Sequence, residues 1–120
     1  MPTGLILFAH GARDPRWREP FDRLRGLVSK QHDGPVTLAF LELMQPDLGE
    51  AARELGHQGV THAVVVPIFL GTGGHLRRDL PAIIEAARAA SGVQLQAAGA
   101  AGEDGQVLAA IADYCLRSAR

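Results

Sequence analysis

The most restrictive feature of this chain is the alternation of four short apolar runs with four segments of helical spacing. Gly4–Ala9 (GLILFA), Val36–Leu41 (VTLAFL), Thr61–Ile68 (THAVVVPI) and Val93–Ala97 (VQLQA) read as strands. The first and third are nearly continuous in apolar residues, which suits strands buried on both faces. Each run is followed by apolar positions three or four apart: Phe21, Leu24 and Val28; Leu48, Ala52 and Leu55; Leu80, Ile84 and Ala87; Val107, Ile111 and Tyr114. That spacing lines one face of a helix. Strands and helices in alternation, joined by right-handed crossovers, imply a parallel sheet covered on both faces. The expected fold is α/β, a three-layer sandwich around a four-stranded parallel sheet of order 2-1-3-4.

At 120 residues the chain supports one ordinary core, so residues 1–120 read as a single domain. A formal net charge of -1 argues against nucleic acid or membrane as partner, since both need a basic excess. The lone cysteine, Cys115, excludes an intramolecular disulfide and a multi-thiolate zinc site. Its spacing from Leu108 and Ile111 assigns it to the core. MPTG leads directly into the first apolar run without a basic leader, and no span is long enough for a membrane, so the expected compartment is the cytoplasm.

Prolines and glycines set the punctuation. Gly59 and Gly92 fit helix-to-strand returns. Pro20 and Pro81 fit first turns of helices, with Asp79 as N-cap of the third helix. On that reading the segments Gly11–Glu19 and Gly71–Arg78 are unusually long strand-to-helix loops, of the kind that bind ligands.

In a parallel sheet those loops share the carboxyl edge, and ligands bind where strand order reverses, here between the first and third strands. His10 closes the first strand, Glu42 the second, and His75 lies in the loop after the third. Two imidazoles and a carboxylate suit a divalent transition metal with positions left open. Each could instead serve as a loop cap or pair with an arginine. His32, His57 and His62 read as ordinary surface or capping residues. Arg13, Arg16, Arg18, Arg77 and Arg78, five of the 12 basic residues, crowd the same two loops. Guanidinium groups there suit a ligand with several carboxylates or phosphates; solvated pairs with Asp14, Glu19 and Asp79 are the plainer explanation.

The stretch GTGGH lacks both G-x-x-x-x-G-K-[ST] and G-x-G-x-x-G, which disfavours a nucleotide. His-Gly after the first strand is similar to the histidine phosphatases, but Ala9 stands where that family has arginine. A closer resemblance covers essentially the whole chain. FAHGARDPRW, AFLELMQPDL and VVVPIFLGTGGHLRRDLP resemble the signature segments of the class II tetrapyrrole chelatases, the CbiX and SirB group. The family's HGS after the first strand is HGA here, with Ala12 at the serine position.

This resemblance implies a chelatase or flavodoxin-like fold and ATP-independent insertion of Co2+ or Fe2+ into sirohydrochlorin, for cobalamin or sirohaem. It makes His10 and His75 catalytic and metal-binding, with Glu42 completing the metal set. Arg13, Gly73, Gly74, Arg77 and Arg78 would meet the carboxylated macrocycle. The metal (Co2+, Fe2+ or Ni2+) is then a substrate and no cofactor is permanently bound. The resemblance to the short form implies a homodimer with its cleft across a two-fold axis. The alternatives are a carrier of metal or tetrapyrrole without turnover, and a histidine phosphatase.

Overall fold

A computed structural model describes residues 2–120. Strands β1 (Gly4–Ala9), β2 (Val36–Phe40), β3 (His62–Pro67) and β4 (Gln94–Ala97) alternate with helices α1 (Glu19–Ser29), α2 (Leu48–His57), α3 (Gly74–Ser91) and α4 (Gly105–Ser118). All pairings are parallel and the order is β2-β1-β3-β4, as the alternation predicts.

Pleating sends successive side chains to opposite faces, and the two faces are filled differently. Ile6, Phe8, Ala39, Ala63 and Val65 face α2 and α3, packing with Ala51, Ala52, Leu55 and Ala87. Leu7, Ala9, Leu38 and Phe40 face the other way, against Phe21, Leu24 and Val28 of α1. Phe8 and Val65 are completely buried, so the two central strands carry the core.

Local chemistry fixes several helix starts. Pro20 lies in the first turn of α1, as expected. Asp47 caps α2 in a reciprocal box: its carboxylate accepts the Glu50 amide at 2.8 Å, and Glu50 accepts the Asp47 amide at 3.0 Å. Gly92, with φ 73°, ends α3.

Two expectations fail. Asp79 does not cap α3: the helix opens at Gly74 behind Gly73, and Pro81 lies inside it. Entry at two glycines lets helical winding begin a turn and a half earlier, and the Arg77 amide already bonds the Gly73 carbonyl at 3.0 Å. Residues 68–73 are therefore a connection of ordinary length, and His75, Arg77 and Arg78 belong to the helix. Cys115, expected in the core, is exposed. The reason is that no residue of α4 is buried; its principal contact in the chain is a 3-10 turn at Ala101–Glu103. No helix is long and apolar enough to cross a membrane among the described residues.

Candidate functional site

The carboxyl ends of β1 and β3 meet at the reversal of strand order. His10 follows β1 directly and is half-buried. Its imidazole stacks on Phe69 with ring centroids 4.4 Å apart and planes inclined by 36°. Phe69 is itself held, 2% exposed, against Phe8 at 5.9 Å. Such a stack restricts the ring of His10 to a narrow range of orientations. Phe69 carries no sequence signal beyond an apolar residue after a strand, and sequence reasoning missed it.

The first two loops are joined through their backbones. The Leu41 amide donates to the Ala9 carbonyl at 2.8 Å, and the Glu42 amide to the His10 carbonyl at 3.0 Å. Gly11 makes that approach possible: its φ is 102°, and a Cβ there would overlap the Glu42 carbonyl oxygen. Glu42 lies two residues beyond the end of β2, with its side chain exposed.

The third loop is locked to the fourth. The Gly102 amide donates to the Phe69 carbonyl at 2.9 Å. A side chain at Gly102 would collide with the Leu70 backbone. The 3-10 turn at Ala101–Glu103 thus braces the segment that holds Phe69.

His75 is exposed in the first turn of α3. Arg78 Nη2 lies 3.4 Å from its Nδ1, and Arg78 Nε donates to the Gly74 carbonyl at 3.2 Å. A guanidinium has only donors, so Nδ1 is the accepting nitrogen in this arrangement. Arg77 reaches Thr72 Oγ1 at 3.4 Å and Glu103 at 3.7 Å. Gly73 and Gly74 have open space around their α-carbons.

The arginines of the first loop divide. Arg16 is engaged by Asp14 at 2.7 Å, and this hydrogen bond holds the Asp14 carboxyl below its ordinary value. Arg18 pairs with Asp22 at 3.3 Å, donates to the Gln45 carbonyl at 3.1 Å and lies over the Phe40 ring. It is a structural clamp between loops rather than a ligand group. Arg13 is exposed and has no ion-pair or hydrogen-bond partner among the described residues.

Three exposed apolar side chains rim the same edge, one from each loop: Trp17 (42%), Leu43 (58%) and Leu70 (65%). No three of His, Cys, Asp and Glu come close enough to hold a metal ion among the described residues. His10, Glu42 and His75 share an edge without forming a closed three-ligand cage. His32, by contrast, bonds the Thr3 carbonyl through Nε2 at 2.7 Å, and His57 ends α2. His62 opens β3 at the opposite edge.

The parallel four-stranded α/β domain, with His10 after β1 and His75 at the start of α3, has the fold of the CbiX and SirB chelatase structures. The CbiX family model matches residues 4–117, and the chain belongs to the CbiX family. The structure of a Marinobacter aquaeolei protein described as a CbiX protein of cobalamin (vitamin B12) biosynthesis superposes with a TM-score of 0.88. It is 36% identical, over 98% of this chain and 97% of that one. The sirohydrochlorin chelatase SirB from Bacillus subtilis subspecies spizizenii, solved with cobalt, gives a TM-score of 0.74 at 25% identity. That match covers 87% of this chain and 45% of SirB. A sirohydrochlorin cobaltochelatase from Methanothermobacter thermautotrophicus is 33% identical over 81 residues, 68% of this chain. The aligned region spans 57% of that relative's length.

Proposed function

We propose that this protein is an ATP-independent sirohydrochlorin metallochelatase of the cytoplasm, taking Co2+ or Fe2+ as its metal substrate. The observation that carries this reading is the edge itself. A half-buried, stacked His10, the exposed His75 and the exposed apolar Trp17, Leu43 and Leu70 all come from segments that follow the carboxyl ends of β1, β2 and β3 in a CbiX-family domain. A flat macrocycle offers an apolar face to that rim and peripheral carboxylates to cations. Arg13, Arg77 and Arg78 supply the cations, and Gly73 and Gly74 leave room for the approach.

The reaction exchanges two pyrrole N–H protons for one M2+. An imidazole with an ordinary pKa near 6.5 serves as ligand when neutral and as proton acceptor afterwards. His10 and His75 hold the ion while water and then pyrrole nitrogens fill its remaining positions, so a closed protein cage is not required. Glu42, tied to His10 through the backbone, offers a carboxylate to the metal or to a released proton. A metal binding His75 at Nδ1 displaces Arg78, whose 3.4 Å contact is long and weak. Freed in this way, Arg78 meets a substrate carboxylate.

A second copy of the chain supplies the opposite wall of the cleft. The 45% coverage of SirB and the full-length match to the Marinobacter protein support this two-copy arrangement. The test is metal insertion followed by absorbance with sirohydrochlorin and Co2+. Wild type should exceed the enzyme-free rate, and His10→Ala and His75→Ala should lose that excess. A protein that binds cobalt and sirohydrochlorin without accelerating insertion is a carrier.

A further inference from the structure

Among the described residues, helix α4 packs chiefly on the 3-10 turn that precedes it rather than on the sheet. None of its 14 residues is buried. Val107, Leu108, Ile111, Tyr114 and Cys115 share one side of it, a stripe about 120° wide at 100° per residue. Leu108, Ile111 and Tyr114 are 46%, 40% and 63% exposed. A lone helix of this length is marginal in water, and packing of its apolar face is what normally holds it.

The same chain leaves the matching surface open. On the sheet face that carries α1, that helix packs over β2. Val64 and Val66 of β3, and Ile68 just beyond it, point to this face and remain only half-buried, whereas Ala63 and Val65, pointing to the other, are sealed. An open groove of about 590 Å³ runs along Val66, Ile68, Ala98 and Ala100, with Val107 at its end. The connection gives α4 little slack to turn back over its own strand. Asp104 alone separates the turn at Ala101–Glu103 from α4, and its carboxylate caps the helix by accepting the Val107 amide at 3.2 Å.

We infer that α4 of one copy lies along β3 of a second copy, over Val64, Val66 and Ile68, and that the exchange is reciprocal. An uncovered apolar helix and an uncovered apolar sheet face in one chain are self-complementary, the condition for a closed two-fold dimer. Two helices of about 21 Å, each seated on a sheet and counted on both surfaces, approach the total of about 1,200–2,000 Å² that specific dimers bury. The inference rests on the two-copy part of the proposed function and deepens it; it does not depend on the metal chemistry.

Cys115 lies in the stripe and reports on it directly. The experiment measures mass by light scattering and the rate of Cys115 labelling by a maleimide, in wild type and in Ile111→Asp. It repeats the labelling on Val66→Cys in a Cys115→Ser background, which reads the sheet face and does not need Ile111→Asp to fold. The expected wild type has twice the 12.8 kDa chain mass. Its Cys115 should label about tenfold or more slowly than in a monomeric Ile111→Asp, because reaction requires dissociation. The Val66→Cys thiol should be protected in the dimer as well. A dimer in which either thiol reacts freely overturns the exchange while leaving the two-copy reading intact. An Ile111→Asp protein that stays dimeric overturns it too. A monomeric wild type overturns both, including one with Cys115 protected, where α4 would cover its own sheet.

Discussion

The amide of Glu42 donates to the carbonyl of His10 across 3.0 Å, which couples the loop after β2 to the first histidine of the site. The contact forms because Gly11, at φ 102°, lets the Glu42 carbonyl pass where a side chain would stand. Gly11→Ala should therefore separate the two loops. A loss of about 1–3 kcal/mol is expected from forcing a side chain into that conformation and contact. Urea unfolding measures the loss, and cobalt titration should show weakened binding in the folded fraction. Unchanged stability and cobalt affinity would mean that the loops do not depend on each other.

Phe69 orients His10 through a 4.4 Å stack. Phe69→Leu keeps most of the buried volume and should cost about 1 kcal/mol of stability. Its effect on cobalt affinity and insertion rate should be disproportionately larger, while Phe69→Tyr should retain the stack. Equal proportional losses in stability and activity would reduce Phe69 to a packing residue.

Leu43 and Leu70 are more than half exposed, so removing either should change stability by only about 0.5 kcal/mol or less, whereas Trp17, whose ring packs on Phe21 at 5.7 Å, should cost more. If they receive the face of the macrocycle, Trp17→Ala and Leu70→Ala should each raise the KM for sirohydrochlorin, by about tenfold for a loss of 1.4 kcal/mol. The KM for cobalt should not move.

Glu103 holds Arg77 at 3.7 Å with both groups largely exposed, a pair worth about 0–1 kcal/mol at most. In the chelatase reading it competes with a substrate carboxylate for the same guanidinium. Glu103→Gln should then lower the KM for sirohydrochlorin with stability unchanged. Arg77→Ala should raise that KM. Steady-state kinetics at low ionic strength separates the two, because screening weakens the effect as salt rises.

Two carboxyls titrate below their ordinary values: Asp14, hydrogen-bonded to Arg16, and Glu85, hydrogen-bonded to Arg88. A lowered native pKa adds stability above the unfolded value and loses it as pH falls through the native one. The contributions of Asp14 and Glu85 should thus be present at neutral pH and fade below 3.8 and 4.5, respectively. Both groups are exposed to solvent, so the effect is small. Asp14→Asn and Glu85→Gln should be slightly destabilising at pH 7 and indistinguishable from wild type in strong acid. Thermal unfolding across that range checks the sign.

The strands were legible because burial on both faces leaves an apolar run that few other structures produce. Gly4–Ala9 is bounded as the sequence predicts, and Pro20 marks the start of α1. The start of α3 was not legible. Proline preference for a first turn is a local rule, and glycines upstream allowed the chain to wind before Pro81 was reached. Helical spacing identified α4 but said nothing of what its apolar stripe would meet, so Cys115 was assigned to a core that one chain does not build around it. At the site, His10, Glu42 and His75 were brought to one edge by topology alone. The stack of His10 on Phe69, the clamp made by Arg18 and the Arg77–Glu103 pair depend on approach between distant segments. No spacing in the sequence encodes them.

The proposed function is insertion of a metal into a tetrapyrrole by His10, which follows β1, and His75, in the first turn of α3. Its most direct measurement is the initial rate of cobalt insertion into sirohydrochlorin, followed by absorbance, for wild type, His10→Ala and His75→Ala under identical conditions. The account predicts a wild-type rate well above the enzyme-free reaction, and loss of about 10²-fold or more when a group that both ligates and accepts protons is removed. A wild-type rate equal to background, or full activity in both alanine variants, would contradict it.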